Sequence, residues 1–342
     1  MAIDGHTTAV IIPAYQAHDK IGGVLAGIPA YADWIIVVDD ASTDGTADAV
    51  RRMIDRRIIL LRHEKNTGVG GAMATGFAQA IKLGAFLIAK IDADGQMDPK
   101  YLDRFARMCI YHGCDYVKAN RFGHLGAIPS MPKARLFGSV ILSFLTKIAS
   151  GYWNVFDPQN GYVMITRRML LRLDLSRIDK GYFFENSMMI LLNIVRAKIG
   201  EIYLPASYGD ERSSMKLTRI IASFPVKLFK GFFYRIYQKY VFRSLSPFFL
   251  MFIFGLTGCV WGGVWGGWIW YKSYMTGIPA TTGAVVLALL PLIVGWSTLL
   301  QAFVLDIQDA GACLLFDYDD ETLKSSPPID PVDTEGAQHG QS

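Results

Sequence analysis

An α/β fold built on a mostly parallel, doubly wound sheet, followed by two transmembrane helices, is what the amino-acid sequence predicts. Two observations carry that reading. Residues 8–117 alternate between short apolar runs and amphipathic stretches of helical spacing, the pattern of strand–helix–strand units. Further on, no acidic residue occurs from Arg212 to Met275, and no charge of either sign from Ser244 to Tyr271. After Lys272 the next charge is Asp306, which leaves uncharged stretches of 28 and 33 residues. Each exceeds the ~20 apolar residues that cross a bilayer. Core helices of soluble proteins seldom run so long without charge.

Composition narrows the class. A chain of 342 residues that is 51% hydrophobic and 19% charged has ample material for a core, which excludes disordered, collagenous and disulfide-rich scaffolds. Lys and Arg number 34 against 30 Asp and Glu, a balance of +4 that gives no reason to expect nucleic acid. Cys109, Cys114, Cys259 and Cys313 show no metal-binding spacing, and a packed, reduced pair is expected at Cys109 and Cys114. The first residues, Met-Ala-Ile-Asp-Gly-His, place no basic region ahead of an apolar run, so no cleavable signal is expected.

In chain order, Thr8–Ile12, Trp34–Val38, Ile58–Leu61 and Phe86–Ile91 read as strands because they are short and rich in β-branched or aromatic residues. Asp44–Arg56, Gly70–Leu83 and Pro99–Tyr111 read as the helices between and after them. Asp98-Pro99 is a cap followed by proline at the first helical position, and Gly84 and Gly113 stand where helices stop. Residues 120–160 break the rhythm with Gly, Pro and basic residues and suggest a functional insertion. Tyr162–Ile165 and Ile202–Leu204 are candidate later strands.

From Thr218 to Arg243, Phe229, Phe232, Phe233, Ile236 and Tyr240 recur at helical spacing, with Lys227, Lys230 and Arg235 off that face. This is the signature of helices lying in the membrane interface, with a dimerisation face as the alternative. The expected organisation is a catalytic-type domain over 1–216, interfacial helices over 217–244, two spans within 245–306 (about 247–271 and 279–305), and a tail over 307–342 whose end is disordered. Trp and Tyr near Trp268–Tyr274 form an interfacial belt. The cationic stretch before the first span places the N-terminal domain in the cytoplasm, and two crossings return the tail to the same side.

Ligands of doubly wound sheets bind at the carboxyl ends of the strands. There the chain carries Ile12-Pro13-Ala14-Tyr15, then Asp39-Asp40-Ala41-Ser42-Thr43-Asp44-Gly45, then Asp92-Ala93-Asp94-Gly95-Gln96. Two carboxylates one residue apart, with an amide oxygen nearby, suit a hard divalent cation such as Mg²⁺ or Mn²⁺. Alone, an Asp-x-Asp is a weak signal; after the other two clusters it is a strong one.

These three motifs, in this order and spacing, resemble the family 2 glycosyltransferases of the GT-A fold. Within them the chain is similar to the polyprenyl-phosphate glycosyltransferases, the group of dolichol-phosphate mannose synthase and the bacterial undecaprenyl-phosphate glucosyltransferases. The resemblance covers about residues 8–216. It implies that Pro13, Ala14, Tyr15, Val37 and Asp39 hold the nucleotide's base and ribose. Asp92 and Ala93 would line the diphosphate, and Asp92, Asp94 and Gln96 would hold the metal. Arg121, Arg135 and Ser139 would clamp the acceptor phosphate. Asp157, Gln159 and Asn160 occupy the place of the sugar-side loop, and Glu185 that of an aromatic-acidic motif. Arg212 and Lys216 match the basic closing segment that meets the diphosphate, with a membrane-surface role as the competitor. The family often carries Asn and Glu where this chain has Gln16 and Ala17, which leaves the base open.

The reaction implied is inverting transfer of a sugar, glucose from UDP-glucose or mannose from GDP-mannose, to a polyprenyl phosphate at the cytosolic face of a plasma membrane. Small residues in Gly255–Gly267 would allow close helix packing in a homo-oligomer. Two alternatives stay open. A lipid hydroxyl such as that of diacylglycerol would need a base, for which Asp157 or Glu185 could serve. A non-catalytic membrane scaffold would not need the acidic and arginine pairs at all. Processive synthases usually carry an Arg-Trp element, which this chain lacks.

Overall fold

The computed structural model describes residues 3–121, 133–204, 217–243, 245–310 and 314–317, with side chains from 140 in the helix that starts at 133 and from 223 in the helix that starts at 217. Four strands, β1 (Thr8–Ala14), β2 (Trp34–Asp39), β3 (Ile58–Arg62) and β4 (Leu87–Lys90), alternate with α1 (His18–Gly27), α2 (Thr46–Arg51) and α3 (Val69–Leu83). Then come α4 (Leu102–Tyr111), β5 (Tyr116–Asn120), α5 (Lys133–Ser150), β6 (Val163–Thr166), α6 (Arg167–Leu170), α7 (Phe184–Ile194) and β7 (Ile199–Tyr203). The chain continues through α8 (Leu217–Ile236), a π-helical segment Tyr237–Phe242, α9 (Pro247–Thr276), α10 (Thr282–Asp309) and β8 (Leu314–Asp317). The eight strands lie in the order β3-β2-β1-β4-β6-β5-β7-β8, and β6 alone runs antiparallel to its neighbours.

The sheet is covered on both faces, so its central strands are apolar throughout. In β1, Ala9 and Ile11 pack toward α3 and α7, whereas Val10, Ile12 and Ala14 pack toward α1 and α4. β2 splits the same way, Ile36 and Val38 against Ile35 and Val37. Each fully buried Val or Ile is worth ~1.5–3 kcal/mol, which makes this register the strongest local determinant of the fold. At Gly76 on α3 an added Cβ would lie 2.4 Å from Ile11 Cγ2, so the glycine sets how closely helix and sheet approach.

Most expected elements are present, with shifted ends. The second helix spans only Thr46–Arg51; it starts after Gly45, at φ 84°, and Asp44 accepts from the Thr46 N–H at 3.1 Å and the Thr46 hydroxyl at 2.5 Å in the turn that leads into it. Pro99–Tyr101 is a 3₁₀ turn ahead of α4. β5 was not expected, since Lys118 interrupts its apolar run. The insertion between 120 and 160 contains a full helix, α5, of 18 residues.

Reading all of 307–342 as tail is corrected too. α10 continues through Asp306 to Asp309, and β8 pairs in parallel with β7 from Gly200–Leu314 to Tyr203–Asp317. The chain after the two long helices thus joins the sheet that begins the molecule.

α9 and α10, of 30 and 28 residues, are long and apolar enough to cross a membrane, and only 22% and 11% of their most apolar windows are buried. That exposure separates them from core helices. They pack closely on each other: Cβ atoms added at Gly255, Gly258 and Gly262 would lie 2.8, 2.8 and 2.6 Å from backbone atoms of α10. These glycines therefore serve the hairpin itself. Trp268, Trp270, Tyr271 and Tyr274 are all more than half exposed near the end of α9, as an aromatic belt requires.

α8 follows its expected pattern only in part. Phe229 and Phe233 are exposed, whereas Ile236 and Tyr240 pack with Phe248, Phe252 and Ala302, and Arg235 is fully buried.

Asp40, just past β2, ties the loop before α3 to the sheet. Its Oδ1 accepts from the Thr67 N–H at 2.9 Å and pairs with His63 Nδ1 at 2.7 Å, and its Oδ2 accepts from the Gly68 N–H at 2.7 Å. Burial disfavours the charge, but the bonds from Thr67, His63 and Gly68 prevail and hold the carboxyl below its ordinary range. Its stabilising contribution is therefore complete above the unfolded carboxyl value of ~3.9 and is lost as pH falls through the lower folded value. In thermal unfolding of the detergent-solubilised chain, Asp40→Asn should melt below the wild type at pH 7, and the gap should narrow below about pH 4.

Candidate active site

Strand order reverses between β1 and β4, and the crevice outside their carboxyl ends collects the polar motifs. On one side the turns after β1 and β2 are stitched together. The Gln16 N–H donates to Ser42 Oγ at 3.0 Å, the Ala17 N–H to Thr46 Oγ1 at 2.9 Å, and the His18 N–H to Asp44 Oδ2 at 3.0 Å. Gln16 takes a left-handed conformation, φ 52°, to make this turn. Tyr15 is left 54% exposed beside it.

Asp39 is fully buried, and its Oδ1 accepts from the Ser42 N–H at 3.0 Å. Its Oδ2 lies 3.2 Å from Arg62 Nε yet receives no hydrogen bond among the described residues, because the pair is poorly aligned. Val37 and Ala14 are enclosed in the cluster on the α1 face. Either could reach a ligand only through its backbone.

The other side is organised by Lys90 at the end of β4. Its side chain is 1% exposed, and its ammonium lies 2.7 Å from Asp92 Oδ1, 3.5 Å from Glu185 Oε1 and 3.2 Å from the Gly161 carbonyl. Burial alone would neutralise it, but Asp92 and Glu185 outweigh that and raise its pKa, so it stays charged. Burial raises the Glu185 pKa, Lys90 opposes the rise and Asp92 adds to it.

At Gly161 an added Cβ would lie 2.4 Å from Lys90 Nζ, 3.1 Å from Asp92 Oδ2 and 3.4 Å from Glu185 Oε1. Only glycine lets the Asp157–Gly161 turn sit against these charges. The same turn holds Arg121. Asp157, 2% exposed, accepts from Arg121 Nε at 2.8 Å, from Nη2 at 3.1 Å and from the Asn160 amide at 3.3 Å. One five-residue turn thus touches both the expected acceptor-side arginine and the expected diphosphate-side aspartate.

Asn160 is committed to this turn, since its Oδ1 also accepts from the Tyr162 N–H at 3.0 Å. Gln159 differs: its amide nitrogen is buried without a hydrogen-bond partner among the described residues.

Asp94 is half-buried and Ala93 is buried. Burial raises the Asp94 pKa, the Gln96 N–H opposes this from 3.0 Å, and Asp92 raises it again. Two carboxylates that repel each other in a desolvated crevice are a donor set suited to a hard divalent cation, which would favour both charges. Gln96 is exposed at the mouth. No group of three or more His, Cys, Asp or Glu that could hold a metal occurs among the described residues. Among the described residues, Asp92 and Asp94 are the crevice carboxylates that could hold such an ion, with the Gln96 amide beside them. Arg212 and Lys216, and the side chains of Arg135 and Ser139, lie outside the described residues.

Three buried charged side chains around the crevice were not foreseen: Lys90, Lys118 and Glu201. Glu201, fully buried on β7, accepts from the Phe156 N–H at 3.1 Å, the Asp157 N–H at 3.2 Å and the Asn120 amide at 3.1 Å, and so holds the Asp157 turn in place. Lys118 on β5 aligns across the sheet with Val163 on one side and Glu201 on the other. Burial pushes its amine down to about 8 despite Asp157, Glu201 and Glu185 nearby. The signal was available: each is a single charge inside an otherwise apolar strand.

Comparison with known proteins bears on the fold and the family. Residues 9–173 match the model of glycosyl transferase family 2. The UDP-N-acetylglucosamine–dolichyl-phosphate N-acetylglucosaminyltransferase of Methanococcus voltae is 29% identical over 232 residues, 64% of this chain and 92% of that one. An undecaprenyl-phosphate mannosyltransferase of Micrococcus luteus is 32% identical over 214 residues, 60% of this chain and 86% of that one. Among solved structures, glucosyl-3-phosphoglycerate synthase of Mycobacterium tuberculosis, in complex with Mn²⁺, UDP and its product, shares the fold at TM-score 0.50 and 18% identity, over 68% of this chain and 80% of that one. The α/β domain is accordingly of the GT-A type, and the chain belongs to glycosyl transferase family 2, in its polyprenyl-phosphate glycosyltransferase branch.

Proposed function

We propose that this chain transfers a sugar from a nucleoside diphosphate to the phosphate of a polyprenyl phosphate, at a membrane that α9 and α10 cross. The observation that carries the proposal is the Asp157–Gly161 turn, which meets Arg121 on one side and the Lys90–Asp92 pair on the other. Donor and acceptor groups held at those two points would be neighbours. The relatives described above act on polyprenyl lipids with N-acetylglucosamine or mannose, so those sugars are the ones to test first. Neither supports the expectation of glucose.

A polyprenyl phosphate suits this site because it needs little base catalysis. A phosphate monoester is largely ionised near pH 7, with a second pKa of ~6, so alignment matters more than deprotonation. Arg121, its Nε edge held by Asp157, would align the phosphate through the other edge of its planar guanidinium. One phosphate oxygen attacks the anomeric carbon as the bond to the nucleoside diphosphate breaks, and the bonding pair leaves with the diphosphate. Mg²⁺ or Mn²⁺ held by Asp92 and Asp94 would supply neutralisation of that leaving charge. In this reading Gln159 would donate to a sugar hydroxyl, and Asp39 would accept from the base. For a hydroxyl acceptor such as diacylglycerol, Asp157 is a poor base, being bonded through both oxygens to Arg121. The intact acidic and arginine pairs also argue against a scaffold.

The apolar tail of the acceptor stays in the bilayer while the donor stays in water. β8 lies in the same sheet as β1, which supports reading α9 and α10 as a hairpin that leaves one side of the membrane and returns to it. The cationic residues of α8 favour the cytoplasmic side.

Purified full-length chain should transfer N-acetylglucosamine or mannose to a short-chain polyprenyl phosphate, and not to diacylglycerol, in a donor screen read by thin-layer chromatography. Asp94→Ala should lower turnover at least ~100-fold, the scale of losing one preorganised electrostatic contact, with an unchanged melting temperature; full activity would revive the scaffold reading. A single displacement also fixes the stereochemistry: an α-linked donor should give a β-linked lipid phosphate by NMR, and an α-linked product would contradict it.

A further inference from the structure

A second buried ionic cluster lies away from the crevice, where α5, α7, α8 and α10 meet. Arg235, 0% exposed, grips Asp306 through both oxygens, Nη1 to Oδ1 at 2.6 Å and Nη2 to Oδ2 at 2.9 Å. Its Nε donates to the Ala149 carbonyl at 2.9 Å, and Nη2 to the Ile148 carbonyl at 3.2 Å. Those are among the last carbonyls of α5, which lack helical partners and attract cations. Nη1 reaches Asn193 of α7 at 3.2 Å, and the Tyr240 hydroxyl donates to Asp306 at 2.5 Å. Lys239 completes the cluster, 3.0 Å from Asp309 and 2.9 Å from Asn193.

The local backbone is shaped for this cluster. Tyr237–Phe242 is π-helical, and the wider turn lets Arg235 and Tyr240, five residues apart, reach the same carboxylate. Gly151, at φ 76°, leaves room that any Cβ would fill, at 2.5 Å from Arg235 Nη1. A buried pair of this kind adds little net stability, but alternative packings leave a charge unpaired, so it fixes one arrangement.

We infer that Arg235 is a positioning residue for the acceptor half of the reaction. It holds the C-terminal end of α5 and the end of α10 in one grip, and so sets how the helix that bears Arg135 and Ser139 stands relative to the bilayer. The inference rests on the function proposed above. An 18-residue helix is ~27 Å long, so a tilt of ~10° at the gripped end moves the other end by ~5 Å. A displacement of ~1 Å at reacting groups can cost ~100-fold in rate. The acceptor's phosphate stands at a depth fixed by its tail, whereas a soluble donor can follow the protein. Losing the grip should therefore harm the acceptor side alone.

The test uses the full-length chain in lipid nanodiscs and the triple variant Arg235→Met, Tyr240→Phe, Asp306→Leu, which replaces the buried ion pair by apolar volume without leaving either of its charges unpaired, while the carbonyls of Ile148 and Ala149 lose their grip. Four quantities are read: kcat/KM for a long-chain polyprenyl phosphate, KM for the nucleotide sugar, slow hydrolysis of the donor by water, and hydrogen exchange across α5. The expected result is a fall of at least tenfold in kcat/KM for the lipid, with donor KM and hydrolysis within twofold of wild type. Amides of α5 should exchange at least tenfold faster while β1, β2 and β4 keep their protection, and Arg235→Lys should fall between. Lipid kinetics within twofold of wild type would overturn the inference, and so would an equal loss of donor hydrolysis, which marks general support of the fold. If the wild type uses another lipid, the functional reading fails, and the exchange of α5 still decides whether Arg235 holds that helix.

Discussion

One buried ammonium, that of Lys90, governs how the crevice is put together. It stands between Asp92 and Glu185 and also donates to the Gly161 carbonyl, so it joins the end of β4, the start of α7 and the turn before β6. Without it, two carboxylates would face each other in a desolvated space, which favours one of them taking up a proton. With it, the turn is drawn against the aspartates, and Arg121 is carried along through Asp157. Glu201 completes the arrangement from beneath by accepting the N–H groups of Phe156 and Asp157. The geometry of the crevice therefore depends on two charges buried beneath it, Lys90 and Glu201.

Much of this was legible in the sequence, and the reasons differ by element. β1 and β2 declared themselves because both faces of a parallel sheet are buried, which writes an unbroken apolar run. The Asp92–Gln96 segment declared itself through its place at the end of such a run. β5 did not, because Lys118 looks like a surface residue until Glu201 and Asp157 are seen beside it. Arg235 misled for the same reason: spacing along one helix put it on a polar face, while its true partners stand on α5, α7 and α10. Local periodicity reports which residues share a face. It does not report what arrives there from elsewhere in the chain.

β8 is the clearest example of a long-range constraint. Four residues after a 28-residue apolar helix pair with β7 and extend the sheet that β1 began. The domain and the hairpin are thus joined twice, once through α8 and once through this strand. The glycines of α9 are used inside the hairpin, where backbones pass too closely for a side chain. Such a base suits an enzyme that must hold a water-filled crevice against lipid. The leash on either side is short.

The most direct examination of the account is an anomalous-scattering structure of the full chain with Mn²⁺, a nucleoside diphosphate and a polyprenyl phosphate bound. A metal peak bonded to Asp94, with the lipid phosphate between it and Arg121, is the result the account predicts. A metal or lipid phosphate bound elsewhere, with the crevice at Asp92 and Asp94 left to water, would contradict it.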